Sequence, residues 1–394
     1  MGEKRGETRY LIVGGGMAGH AAAAAIRELD GEAPLAMIAA EPERPYARPP
    51  LSKGLWLGKA EESVWLPEVP GLALHLGRRA VGLDLAAREV RDDAGGVHRY
   101  DRLLLATGGT PRRLPSGGDA VVYLRTLPDQ RRLRAAPGRR VVVVGGGFIG
   151  TELAAAMASA GREVTLVLRE EAVGARTYPA ELAAHLSRTF RERGVRLMEG
   201  RTVTAVLARP GGGARVVTDR GEELEADAVA AGLGITPDTG LAQAAGIRCA
   251  DGIEVDVRLE SSAPGVFAAG DVARFACPPL GGRARVEHED AALSMGRCAG
   301  RNMAGAAEPY AHLPFFYSDL FDLGYEAVGL LDARLETVAS WKVPFREGVV
   351  YYLEGERVRG VLLWGIFGQV EAARALVEGR APTSRAALAQ AIPT

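Results

Sequence analysis

Two glycine-rich turns, Gly14-Gly15-Gly16-Met17-Ala18-Gly19 and Gly145-Gly146-Gly147-Phe148-Ile149-Gly150, each follow an aliphatic run, open an Ala-rich stretch, and begin 131 residues apart. In such a turn the first glycine lets the backbone bend sharply and the second lets it approach a pyrophosphate. The third lets helix pack on strand, leaving the phosphates at a helix N-terminus where unpaired N–H groups point. One such turn is weak evidence, because a tight strand-to-helix connection needs glycine with or without a ligand. Two turns, each with the rest of the unit attached, point to two dinucleotide-binding folds in one chain.

The attached parts are legible. Tyr10 to Val13 reads as a strand into the first turn, His20 to Leu29 as a helix and Leu35 to Ala39 as the next strand. Glu41 lies 22 residues after Gly19, near the spacing at which a carboxylate meets ribose hydroxyls. In the second copy Val141 to Val144 leads in, Glu152 to Ala160 continues the helix, and Val164 to Leu168 precedes Glu170 and Glu171. The units are internal repeats.

Between them, Arg44 to Lys53 is a proline-rich loop, read as too rigid and irregular for helix or strand. Strands are expected near Leu72 to Leu76, Ala80 to Leu83, Glu89 to Val90 and Tyr100 to Leu105, the last entering an Ala-Thr-Gly-Gly turn at Ala106. The second unit continues with a helix at Pro179 to Arg193. Strands follow near Val195 to Met198, Thr202 to Leu207, Ala214 to Val217 and Ala228 to Gly232. Gly265 to Asp271 then returns to the first domain as a strand ending in Gly-Asp, followed by a helix at Glu287 to Met303. Thr337 to Val343, Gly348 to Leu353 and Arg357 to Ile366 read as a three-stranded antiparallel sheet, with a helix at Gln369 to Glu378 and a weakly ordered helix in the tail from Ala381.

At 394 residues, 47% hydrophobic and 25% charged, the chain has the composition of a soluble globular protein of two or three domains. No apolar run approaches the roughly 18 residues a membrane span requires. Met1 to Arg9 is short and charged, without a signal-peptide core, and Gly6 stands where a myristoylation signal needs Ser or Thr, so a cytoplasmic location is expected. A net charge of −1 gives no basis for nucleic-acid binding. Arg131, Arg132, Arg134, Arg139 and Arg140 form one basic cluster, read first as a solvated surface and second as a docking site for an acidic protein. Cys249, Cys277 and Cys298 are too few and too widely spaced for a disulfide framework or a zinc site, and are expected as buried structural thiols.

The two glycine units, Ala106 to Gly109 and Gly270-Asp271 together resemble the two-dinucleotide-domain flavoprotein superfamily that includes glutathione reductase. The resemblance implies an α/β fold with two Rossmann-like domains, the second inserted in the first, plus a small α+β C-terminal domain. Its limits would be 1–118 and 247–312 for FAD, 119–246 for NADH or NADPH, and 313–394 for the C-terminal part. Disulfide-reducing members carry a Cys pair after the first unit; this chain has no cysteine before Cys249, so reduction through a protein dithiol is not expected. In that place stands Arg48-Pro49-Pro50-Leu51-Ser52-Lys53, similar to the loop of ferredoxin reductases and of apoptosis-inducing factor. Pro314 to Leu320, Gly324 to Gly329, Gly348 to Leu353, Val361 to Phe367 and Val286 to Asp290 are similar to apoptosis-inducing factor as well. The chain departs from it in lacking a mitochondrial targeting segment, an acidic insertion near Arg346 and a basic excess, so an apoptotic role is not implied. Tyr317 replaces the usual Trp.

The resemblance assigns roles residue by residue. Lys53 and Glu152 would form an ion pair beside flavin N5, with His288 and Glu287 near the flavin and nicotinamide rings. Gly14, Gly16, Met17, Ala18, Gly19, Glu41, Arg48, Val81, Thr107, Gly108, Arg112, Gly270, Asp271 and Tyr317 would hold FAD, the arginines toward the pyrophosphate and Asp271 toward the ribityl chain or as a helix N-cap. Gly145, Gly147, Phe148, Ile149, Gly150, Glu170, Arg176 and Gly234 would hold the nicotinamide coenzyme, Phe148 as a gating ring or as ordinary core packing. Glu170 can accept from both ribose hydroxyls and would repel a 2′-phosphate, favouring NADH over NADPH, although Arg169 and Arg176 could attract that phosphate. No metal is implied. The expected function is hydride transfer from NADH to FAD and onward electron transfer to a ferredoxin or quinone. The alternative is a redox-sensing interaction protein in which a long-lived complex of reduced flavin with NAD⁺ changes conformation or drives homodimerisation.

Overall fold

The computed structural model describes residues 7–380 and 384–393. They form two compact units. One gathers the chain up to Arg48, Glu61–Thr110 and Thr236–Pro314; the other gathers Pro49–Ala60, Pro111–Ile235 and the chain from Phe315. The chain thus enters the second unit a short way before the limit expected for an inserted domain, and its C-terminal part belongs to that same unit.

The first unit is built on a mostly parallel sheet. Glu7–Val13 runs parallel to Leu35–Ala39 on one side and Val97–Leu105 on the other, with Leu72–Leu76 and Val266–Ala268 added parallel outside them. All five residues of Leu35–Ala39 are buried, as a strand covered on both faces must be. Ala80–Asp84 and Glu89–Asp92 extend the sheet antiparallel. Because Val13 pairs with both Ile38 and Leu105, the strand ends are level, and Gly14, Glu41 and Ala106 emerge along one edge. Ligands bind such sheets at that edge.

The helix after the first turn spans Met17–Leu29, beginning earlier than the expected His20, because Gly16 is the N-cap and Met17, Ala18 and Gly19 already form its first turn. Helix Glu289–Met303 packs against it at very short range: a Cβ on Gly296 or Gly300 would fall on the carbonyl oxygens of Ala18 and Ala22. Of the three cysteines Cys277 is buried, whereas Cys249 and Cys298 are half-buried, a correction to the expectation that all three lie inside.

The second unit carries a parallel five-stranded sheet in the order Arg196–Met198, Glu163–Val167, Arg140–Val144, Ala228–Ala231, Val121–Tyr123. Its helix Phe148–Ser159 again starts inside the glycine turn. Val203–Ala208, Ala214–Thr218 and Glu223–Ala226 form an antiparallel sheet over one face, closing an apolar core around Val142, Val144, Val216 and Val229. Sequence reading missed helix Leu127–Ala135, whose arginines mask its buried face of Leu127, Gln130 and Leu133; Thr126 and Asp129 close it with a reciprocal capping box.

The C-terminal sheet has five strands rather than the expected three: Phe315–Leu320, Leu323–Gly329, Arg357–Trp364, Glu347–Glu354 and Glu336–Val343, all antiparallel. In Phe315–Leu320 the inward positions are Ser318 and Leu320 while Tyr317 is outward, so the apolar alternation that marks a strand is broken at Tyr317 and Ser318. The proline-rich loop is corrected likewise: Pro49–Ser52 is a short 3₁₀ turn, since proline fixes φ near the helical value and is tolerated in a first turn. In the tail the described helix is Arg385–Ala391, while Ala381 lies outside the described residues.

Candidate active site

The two glycine turns are built alike. Gly14 and Gly145 have φ of 123° and 114°, and a side chain on them would strike the carbonyl oxygens of Ala106 and Gly232, so both need glycine for conformation and space. A Cβ on Gly19 would fall on the Gly14 carbonyl oxygen, and one on Gly150 on that of Gly145. Gly16 and Gly147 differ. Both have ordinary extended backbone, with φ of −82° and −80°. A Cβ on Gly147 would meet nothing within 4 Å, and one on Gly16 only Arg48 Nη2 at 3.9 Å. Among the described residues nothing requires glycine at these two positions; a dinucleotide pyrophosphate lying on the turn would. Both following helices start without a side-chain cap or an acidic residue in the first turn, which leaves their N–H groups directed at an anion. The residues present therefore fit one dinucleotide per unit.

In the first unit Glu41, Arg48, Asp271 and His288 belong to one electrostatic cluster. Glu41 accepts hydrogen bonds from Tyr46 Oη and Arg48 Nη2. Burial pulls the Arg48 guanidinium down, but the charges of Glu41 and Asp271 hold it above its ordinary value. Burial pushes His288 down to about 4 against the pull of Asp271 and Asp290, leaving a neutral imidazole at pH 7. Thr107 Oγ1 donates to the Asp238 carbonyl at 2.7 Å, and Gly108 takes φ 66° in the same turn. Gly270 has φ 76°, and a Cβ on it would fall 2.9 Å from that of Ala18, so the Gly-Asp turn needs glycine for conformation and space. Asp271 is in the first turn of the short 3₁₀ helix Gly270–Val272, which answers the helix-cap alternative, since the cap there is Ala269. Glu287 is exposed and accepts from Arg285 Nη1 at 2.8 Å. Val81 is exposed at a bulge on the edge strand Ala80–Asp84.

In the second unit Lys53 and Glu152 meet. Lys53 Nζ lies 3.1 Å from Glu152 Oε1 and 4.2 Å from the centroid of the Tyr317 ring, with Asp319 Oδ2 at 3.8 Å. Glu152 is 5% exposed, on the second turn of helix Phe148–Ser159. Its Oε1 also accepts from Ser318 Oγ at 2.6 Å, and its Oε2 from Ser52 Oγ at 2.6 Å. Phe148 and Ile149 are exposed, and the Phe148 ring lies 5.5 Å from that of Phe316. The core-packing alternative for Phe148 is thereby corrected. Beneath lies an aromatic layer in which Tyr325 stacks on Trp364 at 5.5 Å; burial, with Glu152 close by, drives the hydroxyls of Tyr178 and Tyr325 far above their ordinary values and keeps them protonated.

Glu170 follows strand Glu163–Val167 and reaches back over the second turn, where a Cβ on Gly146 would come within 2.9 Å of its Oε2. Arg176 Nη1 and Arg169 Nη2 stand 3.6 and 3.8 Å from its Oε1, both largely exposed. Arg112 is exposed and fixed by its backbone N–H to the Gly234 carbonyl at 2.9 Å; Gly234 has φ 80°.

Sequence reading passed over Ser52, Ser318, Tyr46 and Arg285. Arg285, 9% exposed, bridges Asp251, the Asp271 carbonyl and Glu287. Ser52 was inside the quoted loop motif, but its partner is 100 residues away, and that of Ser318 is 166 away.

Comparison with known proteins agrees with this architecture. Residues 8–296 match the family described as pyridine nucleotide-disulphide oxidoreductase, and residues 299–345 match the C-terminal domain of mitochondrion-associated apoptosis-inducing factor. The chain is 37% identical over 381 residues to the ferredoxin–NAD(+) reductase component of the anthranilate 1,2-dioxygenase system of Burkholderia cepacia, covering 93% of each. Among solved structures, a ferredoxin reductase from Rhodopseudomonas palustris superposes with a TM-score of 0.89 at 30% identity over 97% of both chains. The reductase in a covalent putidaredoxin reductase–putidaredoxin complex does so with 0.86 at 30% identity, over 94% of this chain and 93% of that one. Among the described residues no helix is long and apolar enough to cross a membrane, and no cluster of three metal-ligating side chains occurs.

Proposed function

The chain belongs to the pyridine nucleotide-disulphide oxidoreductase family, and from that premise we propose that it oxidises NADH at a bound FAD and delivers the electrons to a [2Fe–2S] ferredoxin. The observation that carries the reading is the matched pair Gly16 and Gly147, open positions on two uncapped helix N-termini, one for each dinucleotide. FAD, when bound, supplies an acceptor for hydride that can release electrons one at a time.

The chain's own residues bind and orient. In the first unit Gly14, Gly16 and Gly19 would shape the pyrophosphate turn, with Glu41 toward ribose hydroxyls, Arg48 toward phosphate and Asp271 toward the ribityl chain. In the second unit Gly145, Gly147 and Gly150 do the same for the coenzyme, and Glu170 offers its carboxylate to the adenosine ribose, where it would repel a 2′-phosphate. The resemblance sets Lys53, held by Glu152, beside the flavin, where its positive charge would favour the reduced, more negative state. No cysteine precedes Cys249, so no dithiol relays the electrons.

Support for a ferredoxin as acceptor comes from the relatives: one is named as a ferredoxin–NAD(+) reductase, another was crystallised with putidaredoxin. The match of residues 299–345 to the apoptosis-inducing factor domain favours, second, a sensor that holds reduced flavin and NAD⁺ together and uses a second copy of the chain as partner. Stopped-flow reduction of the yellow protein by NADH, followed by challenge with ferredoxin, quinone and oxygen, separates the two. Fast reoxidation by ferredoxin is expected; a persistent long-wavelength band with slow turnover for every acceptor would replace the enzyme by the sensor.

A further inference from the structure

We propose that Ser52 and Ser318 are positioning residues that fix Glu152, and through it the Lys53 ammonium. The proposal rests on the reading that Lys53 faces the flavin, and deepens it. The Glu152 carboxylate is buried, and a carboxylate offers about four acceptor sites. One is taken by Lys53 at 3.1 Å and two by serine hydroxyls at 2.6 Å, the short range of an O–H donor to a charged oxygen. Both hydroxyls are themselves buried, Ser52 to 2% and Ser318 to 1% exposure. Ser52 has one proton and two acceptors in reach, Glu152 at 2.6 Å and the Pro49 carbonyl at 3.4 Å, and the shorter distance assigns the proton to Glu152.

The arrangement is more than packing. Ser52 and Lys53 come from the proline-rich turn, Glu152 from the helix of the second glycine unit and Ser318 from the first strand of the C-terminal sheet, so one carboxylate ties three separate segments. A hydrophobic residue would fill the place of either serine without the cost of burying a hydroxyl. What the hydroxyls add is direction: with one on each carboxylate oxygen, the group cannot rotate, and Oε1 stays on Lys53. Lys53 has a competing partner, Asp319, whose side chain is 56% exposed. Released from a fixed Glu152, its ammonium would move outward to Asp319 and water.

The test is competitive acetylation of lysines in the FAD-loaded protein, read at Lys53 by mass spectrometry, with folding checked by circular dichroism. Ser52→Ala and Ser318→Ala should each raise Lys53 labelling by about tenfold, the scale on which a hydrogen bond to a charged group counts. In a Glu152→Gln background the same substitutions should add nothing, because the serines act through the carboxylate. Unchanged labelling in folded Ser52→Ala/Ser318→Ala, or an equal increase in the Glu152→Gln background, overturns the proposal. If the double variant does not fold, the single variants give the same comparison. The flavin midpoint potential and absorption spectrum, measured on the same samples, decide the other question: labelling that rises while both stay fixed would uphold the positioning role and remove Lys53 from the flavin.

Discussion

Glu152 is worth most at the scale of single residues, because it is buried, charged and shared. Removing it as Glu152→Ala releases the Lys53 ammonium toward Asp319 and takes the acceptor from the buried Ser52 and Ser318 hydroxyls, at a cost of about 1–3 kcal/mol to be read in urea unfolding. The flavin midpoint potential should rise because a negative charge is removed, and Lys53→Ala should lower it because a positive one is, while both variants keep FAD because its turn lies elsewhere. Wild-type potential, spectrum and reduction rate in both would place the pair away from the flavin. Glu170 answers a separate question. The unaltered protein should prefer NADH, and Glu170→Ala, which frees Arg169 and Arg176 for a 2′-phosphate, should narrow the gap by about tenfold; a wild-type preference for NADPH would reverse the assignment. His288 makes a pH prediction. With its folded value near 4 and an ordinary value of 6.5, it is neutral in both states above 6.5. As pH falls from 6.5 to 4 only the unfolded chain takes up the proton, so stability drops by up to about 1.4 kcal/mol per pH unit and levels off below 4. Unfolding free energies of wild type and His288→Asn should diverge in that window and run parallel above it; parallel curves throughout would show that the imidazole is not held neutral.

At the scale of elements the glycine turns separate binding from folding. Gly19→Ala and Gly150→Ala drive a methyl into backbone carbonyls and should cost several kcal/mol of stability, whereas Gly16→Ala and Gly147→Ala meet open space and should leave apoprotein stability within about 1 kcal/mol. Their effect should fall on ligands: Gly16→Ala on FAD retention, Gly147→Ala on the Michaelis constant for NADH. Equal destabilisation in all four would mean that the turns are made for packing alone. These turns were legible because their chemistry is local: the strand, the three glycines and the acidic residue lie within one short repeat. Of the strands that sequence reading missed, Phe315–Leu320 was hidden for the opposite reason. Ser318 faces inward to serve a carboxylate 166 residues away, and a site residue that breaks the pattern of its own strand cannot be read from that pattern. Helix Leu127–Ala135 was obscured by surface arginines, although its capping box, Thr126 with Asp129, was present to be found.

For the whole molecule the remaining question is how a chain with a net charge of −1 would attract the proposed ferredoxin. Long-range steering needs a sustained field of one sign, and it is lost when salt shortens the screening length from about 10 Å at 0.1 M toward 3 Å at 1 M. The basic cluster singled out in the sequence is weakened by its neighbours: Arg140 pairs with Asp227 at 2.7 Å and Arg139 with Glu163 at 3.7 Å. Arg134 Nη1 is turned onto the Leu55 carbonyl at 3.2 Å, and Arg132 donates to the Asp119 carbonyl. These contacts favour a solvated and internally braced surface over a docking patch. The second-order rate constant for ferredoxin reduction should therefore fall by less than about tenfold between low salt and ~0.5 M, where steered encounters fall by factors of 10 to 10³. Reversing the charge of Arg131, Arg132 and Arg134 to Glu should leave that rate within about threefold of wild type, since exposed rim charges away from the contact contribute little. A hundredfold fall with salt, abolished by the triple reversal, would make this helix the ferredoxin-docking surface and overturn the reading from charge balance.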